Sequence, residues 1–241
     1  MSAKTVVKLR NRREVAERTM AFDFEKPPGF TFRAGQFLEL TLVDPPENDE
    51  EGNVRAFSIA SAPHEEVLTV ATRVRDTAFK RVLKNAPLGS AVQIEGPFGD
   101  LVLHNNPARP AVLLAGGIGI TPFRSIVLRA AEEKLPHRIF LLYANRRPED
   151  APFLEELRNL EHRNPNYKLV ATMTEPEKSS RPWRGETGRI DGKMLSKHVN
   201  VQGQPIYYIA GPAAMLNGLR AMLNAAGMDD DDIRAEEFSG Y

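Results

Sequence analysis

Ala111-Val-Leu-Leu-Ala-Gly-Gly-Ile-Gly-Ile-Thr-Pro122 joins a short apolar run to a glycine turn and a Thr-Pro pair. Residues 111–115 read as a buried strand, and 122–134 as a helix that Thr121 caps and Pro122 opens. Glycines permit positive φ and let a ligand approach the backbone closely. The helix N-terminus offers unpaired N–H groups and the positive end of a dipole, which suits phosphate. A tight strand-to-helix turn would use the same glycines, and the spacing is not the usual dinucleotide fingerprint. Working outward, apolar strands follow at 138–143, 167–173 and 205–210, with helical patterns at 153–160 and 213–226 and a further segment at 188–199. Alternating strand and helix predict a parallel sheet with crossover helices. The strand at 205–210 runs into Gly211-Pro212-Ala-Ala-Met215. Each glycine turn alone is ordinary. Two of them at the carboxyl edge of one parallel sheet point to a nucleotide.

Upstream of the two prolines in 105–110 the texture differs. Short strands at 6–9, 36–43, 56–59, 67–73 and 91–94 are separated by glycine- and proline-containing turns, with one helical stretch at 77–84. That pattern predicts an antiparallel barrel or sandwich. Residues 1–106 therefore form one domain and 107–241 a second, doubly wound α/β domain.

Composition narrows the functional classes. The 241 residues are 41% hydrophobic and 27% charged, and suit a globular chain with a real core. Thirty-two basic residues balance thirty-two acidic ones, which argues against a nucleic-acid partner. There is no cysteine, and hence no disulfide and no cysteine-held zinc or iron–sulfur cluster in these residues. The five histidines lack metal-ligand spacing, so they read as exposed or structural and no metal is expected. A polar start without an apolar central run, and no window long enough to span a membrane, lead to the expectation of a cytoplasmic protein.

Arg55-Ala-Phe-Ser-Ile-Ala-Ser-Ala-Pro63 is the motif of the first half. Alternation puts Arg55 and Phe57 on one face and Ser58 on the other. Arginine can hold a diphosphate, an aromatic ring can lie on a planar ligand, and a hydroxyl can reach a ring edge. An edge strand with a surface ion pair and one core aromatic accounts for the same residues.

Together with Phe32-Arg-Ala-Gly-Gln-Phe37, Gly116–Thr121, Gly211–Met215 and Glu236-Glu-Phe238, in this order, the chain resembles the ferredoxin–NADP reductase family. The resemblance implies an FAD-binding β-barrel followed by an NAD(P)-binding domain. It implies that Arg55 binds flavin diphosphate, that Phe57 stacks on the isoalloxazine, and that Ser58, with Ile59 beside it, lies near the reactive nitrogen. Residues 74–83, with Thr77, Phe79 and Lys80, match a second flavin-phosphate loop. Gly116, Gly117, Gly119, Thr121, Pro122, Gly211, Pro212 and Met215 would flank NADH or NADPH. Phe238 would cover the flavin's other face, with Tyr241 as a rival, and Glu236 would lie near Ser58. Ser58, Glu236 and Phe238 are thus the catalytic candidates.

The chain departs from the family's pattern at Phe57, where tyrosine is usual, at Ala210, where cysteine is common, and at Lys80, where a small hydroxyl is common. For the coenzyme, Arg146 and Arg189 speak for a 2′-phosphate and Glu175 against it, with the balance on NADH. FAD is expected over FMN. Electrons would pass to a separate partner: ferredoxin, flavodoxin, an oxygenase component or a small acceptor. The basic clusters Arg10/Arg12/Arg13 and Lys80/Arg81/Lys84 are either a docking face or solvated charge. The rival reading is a non-catalytic flavin- or nucleotide-sensing subunit of a larger assembly.

Overall fold

The computed structural model describes residues 4–200 and 203–238. Its first sheet is built from β1 (Thr5–Ala16), β2 (Thr19–Glu25), β3 (Phe37–Leu42), β4 (Val54–Ser58), β5 (Val67–Arg73) and β6 (Ala91–Phe98). The strands run antiparallel in the order β4-β3-β6-β1-β2-β5. Inward residues Val7, Leu9, Phe22, Phe24, Leu38, Leu40, Val92 and Ile94 make the core, and Phe79 of helix α1 (Ala78–Asn85) joins it. No ladder closes β4 onto β5 among the described residues. Past β4, Ala60 N–H donates to Thr69 O (2.7 Å) and Thr69 N–H to Ser61 Oγ (2.9 Å), which draws the sheet into a barrel-like curl.

Strand β2 was not legible from periodicity. Its residues are buried almost without alternation, so no period of two marks it. Asp23 sits within it, held by Thr69 Oγ1 (2.8 Å), Asn11 Nδ2 (3.2 Å) and the Arg13 guanidinium. Those partners make a polar residue tolerable inside a sheet.

The second sheet is parallel and comprises β7 (Ala111–Gly116), β8 (Ile139–Asn145), β9 (Tyr167–Met173), β10 (Glu186–Thr187), β11 (Ile206–Gly211) and β12 (Ile233–Glu237) in the order β10-β9-β8-β7-β11-β12. Helices α2 (Ile120–Glu132), α3 (Leu154–Asn159), α4 (Gly192–His198) and α5 (Ala213–Ala225) cover it. The chain builds outward from β7 in one direction, then returns to add β11 and β12 on the other side. The switch point therefore falls between β7 and β11, where open α/β sheets bind ligands. Strands β10 and β12 went unread, because β10 has only two residues and β12, Ile-Arg-Ala-Glu-Glu, carries three charges and one β-branched residue.

The halves share a core. Ala21, Ala34, Ala62, Leu101 and Leu103 pack with the α2 and α3 face of the second sheet. Leu101 to His104, which lead into the proline-containing connection at 105–110, are all buried, while 105–108 are exposed. His104 Nδ1 lies 2.9 Å from Tyr208 Oη, which also accepts from the His104 backbone N–H, and His137 packs edge-on at 5.1 Å. Arg124 of α2, only 4% exposed, donates to Ala60 O (2.7 Å), pairs with Glu156 (2.6 Å) and Glu65 (3.3 Å), and lies over Phe153. Ser125 Oγ donates to Ser61 O (2.6 Å). This buried polar seam fixes one half against the other.

Candidate functional site

The glycine turns at the ends of β7 and β11 meet. A Cβ on Gly119 would lie 2.3 Å from Ala210 O and 2.7 Å from Gly211 N, and one on Gly116 would lie 2.4 Å from Met215 Sδ. Gly211 in turn approaches Gly116 N at 3.3 Å from its ideal Cβ. Gly119 is thus required by the contact between two backbones, whereas Gly116 is crowded by the Met215 side chain and Gly211 packs tightly on Gly116. Positive φ, which the sequence reading invoked for the loop, occurs there only at Gly117 (51°). The helix also begins earlier than expected. Gly119 is the N-cap and Ile120 the first residue of α2; Thr121 lies in the first turn with its hydroxyl donating to Ile118 O (3.0 Å), and Pro122 follows it. A 3₁₀ turn at 117–119 absorbs the residues expected as loop, so the cap falls two positions upstream.

Ser58 ends β4, and Glu236 sits on β12 beside Ala210 of β11. Ser58 Oγ donates to Glu236 Oε1 at 3.1 Å, across 178 residues of chain. Burial raises the Glu236 carboxyl above its ordinary range, and the Ser58 hydroxyl partly offsets that. A carboxyl so poised, at the junction of both halves and next to the nucleotide turns, has the character of a functional group. Phe238 follows β12; its N–H donates to Gly211 O (3.0 Å) and its ring is half-buried against the shared core. Tyr241 lies outside the described residues.

Arg55 and Phe57 share a face, since both meet Phe79: the Arg55 guanidinium lies 5.1 Å from that ring's centroid and the Phe57 ring 5.9 Å. Phe57 is 9% exposed and belongs to the barrel core, with Ile59 fully buried next to Ser58. Thr77 caps α1, accepting from Lys80 N–H (3.4 Å). Burial lowers the Lys80 ammonium, and nearby Arg75 and Arg55 lower it further. Three cations therefore crowd one helix N-terminus, an arrangement that favours an anion.

At the far carboxyl edge Glu175 pairs with Lys178 (3.0 Å), while Arg146 and Arg189 are exposed. Asn145, at the end of β8, is buried with neither side-chain polar atom hydrogen-bonded. The other basic clusters are largely paired internally: Arg10 with Glu25 (2.5 Å), Arg13 with Asp23, and Arg81 with Glu47 (2.6 Å) and Asp76, while Arg12 donates to Lys84 O and Ala86 O. Reasoning from sequence took in Arg75 only as part of the flavin-phosphate segment 74–83, and missed Asp49 and Arg124. Only Arg124 left a signal there, as a lone cation in an otherwise apolar and small stretch from Ile118 to Leu128.

Comparison with known proteins agrees with this arrangement. Residues 113–221 match the family model of the oxidoreductase NAD-binding domain. The glycine betaine monooxygenase reductase subunit of Chromohalobacter salexigens is 28% identical over 225 residues, covering 92% of this chain and 60% of that one. The toluate 1,2-dioxygenase electron transfer component of Pseudomonas putida is 27% identical over 95% of this chain and 66% of its own length. The chain thus spans roughly three-fifths of the curated relatives it matches. Among solved structures, a ferredoxin NADP+ reductase of Neisseria gonorrhoeae with bound FAD and NADP superposes with a TM-score of 0.79 at 20% identity, covering 97% of this chain and 98% of that one. An Amycolatopsis cytochrome P450 reductase superposes with a TM-score of 0.82 at 20% identity, over 99% of this chain and 71% of that one. With a curled antiparallel sheet and a parallel sheet whose switch point carries both glycine turns, the chain has the fold of the ferredoxin–NADP reductase-like flavoproteins, and residues 113–221 match the oxidoreductase NAD-binding domain.

Proposed function

We propose that this chain is a flavin-dependent oxidoreductase that takes electrons from a nicotinamide nucleotide and delivers them to a separate acceptor. The observation that carries the proposal is the Ser58–Glu236 contact, which brings the serine of the barrel motif and the carboxyl of the tail strand to the edge of the nucleotide turns. The residues fit the cofactor. Arg55, Arg75, Lys80 and the α1 N-terminus supply the positive charge a flavin diphosphate needs. Phe57 and Phe238 are the aromatic candidates for the ring, and FAD is favoured over FMN by the full-length resemblance. A bound flavin supplies the chemistry that couples two-electron to one-electron transfer.

The chain's own contribution is positioning and electrostatics. The seam of Arg124, Ser125 and Ser61 ties the barrel half to the nucleotide half. The turns at Gly116–Gly119 and Gly211–Met215 give the coenzyme a backbone surface at the sheet's switch point. Glu236 holds or releases a proton at its Oε1, next to the Ser58 hydroxyl. Since these residues contain no cysteine, any cysteine-held iron–sulfur centre that receives the electrons lies outside them. The two curated relatives named above are by name a monooxygenase reductase subunit and a dioxygenase electron transfer component, so an oxygenase component is the acceptor of first choice.

Anaerobic stopped-flow mixing of FAD-loaded protein with NADH and with NADPH tests the proposal. Flavin bleaching with at least one coenzyme is expected, slowed by S58A and E236Q. Absence of bleaching with both refutes it. Bleaching without turnover of ferricyanide leaves a nucleotide-sensing subunit instead.

A further inference from the structure

The loop between β3 and β4 carries an acidic run, Glu47-Asn-Asp-Glu-Glu51, and its carboxylates lie on the cations just assigned to phosphate. Asp49 Oδ2 accepts the N–H of Ala78, the first residue of α1, at 2.8 Å. Asp49 Oδ1 lies 3.8 Å from Arg55 Nη2, and Glu51 Oε2 takes the same nitrogen at 2.7 Å. Arg55 Nη1 is consumed by the carbonyls of Glu51, Gly52 and Val54. Glu47 fastens the loop from the other side through Arg81 of α1 (2.6 Å). Two carboxylates thus bring about two negative charges to a helix N-terminus and an arginine, as a diphosphate would. Like charges at that distance exclude one another, so loop and diphosphate cannot hold these donors together.

We propose that residues 47–51 are a built-in stand-in for the flavin diphosphate, and that flavin loads by displacing Asp49 and Glu51 from Arg55 and the α1 N-terminus. This rests on the flavin reading given above. It makes the loop a determinant of flavin affinity and of loading rate. The cradle is kept neutralised before the cofactor arrives, and Lys80 and Arg75 remain beside it to favour the incoming phosphates. Once displaced, the carboxylates face solvent, and their return speeds flavin loss.

The test is titration of apoprotein with FAD and, separately, with riboflavin, which has the ring but no phosphate, followed by flavin fluorescence. D49N keeps an oxygen acceptor for the Ala78 N–H, so α1 stays capped while the charge is lost; its melting temperature checks the fold. D49N is expected to bind FAD about tenfold more tightly than wild type, as loss of one charge-assisted competitor implies. Faster association should accompany this, with riboflavin affinity unchanged. E51Q, which leaves Asp49 intact, should move FAD affinity in the same direction by a smaller factor. If wild type binds FAD and D49N binds it no more tightly, or if riboflavin gains equally, the stand-in idea is overturned and the flavin reading survives. If neither protein binds FAD, both fall together.

Discussion

Adding one methyl group at Gly119 probes the contact on which the nucleotide site is built. The Cβ of G119A would lie 2.3 Å from Ala210 O and 2.5 Å from Ala210 C, both backbone atoms inside a central strand. Ordinary contact is about 3.5 Å, so the two turns must part by roughly 1 Å. Neither side yields easily, because β11 is hydrogen-bonded on both flanks, to β7 and to β12. Overpacking of this kind costs roughly 1–3 kcal/mol. For a chain of this size that lowers Tm by about 2–12 °C. A displacement of roughly 1 Å at the reacting geometry also costs about a hundredfold in kcat/KM. Differential scanning fluorimetry and steady-state reduction of ferricyanide read the two effects. Two further glycines calibrate them. G116A meets the thioether of Met215, a flexible side chain that can turn away, so its effect should be smaller. G218A meets nothing within 4 Å inside α5 and should stabilise by roughly 0.5–1 kcal/mol. If G119A melts and turns over like wild type, or if the three variants do not rank in that order, the backbone-contact account of the glycines is wrong.

Three other outcomes follow from the structure. R124M removes a buried cation from Glu65 and Glu156, whose side chains stay 29% and 39% exposed and can hydrate, so urea unfolding should show a loss of about 2–3 kcal/mol, below the figure for a fully buried pair. A loss under half a kcal/mol would discredit the seam. Glu236 has its folded pKa raised above 4.5 by burial, so the native state holds the proton more tightly than the unfolded chain. That stability is present below 4.5 and is lost as pH rises through the folded value. E236Q should therefore melt higher than wild type near neutral pH, with the advantage vanishing toward pH 4; a pH-independent difference contradicts this. His104 and His137 are pushed below 6.5 by burial, so their stabilising effect is present above 6.5 and is lost as pH falls from there. H104Q/H137Q should flatten that acid limb in urea melts, and an unaltered limb in the double variant counts against the assignment.

What the sequence determined by itself was everything carried by local pattern. The runs 67–73 and 167–173 were read with the boundaries the structure has, because each is mostly apolar and β-branched and is flanked by turn-forming residues. The glycine turns and the Arg55-Ala-Phe-Ser58 motif announced their chemistry because residue type and spacing are local facts. The start of α2 was misplaced, since Thr121-Pro122 is a good cap and opening in isolation. In the folded chain a 3₁₀ turn at 117–119 runs straight into α2 and moves the helix start upstream. Only the folded chain decided which distant residues meet. Ser58 reaches Glu236, Asp49 reaches α1, and Arg124 spans the halves, each through pairings dozens to nearly two hundred positions apart. Periodicity reports which face of an element is buried. It carries no information on what covers that face, because that is set by the packing of the whole core and by which charges find partners within it.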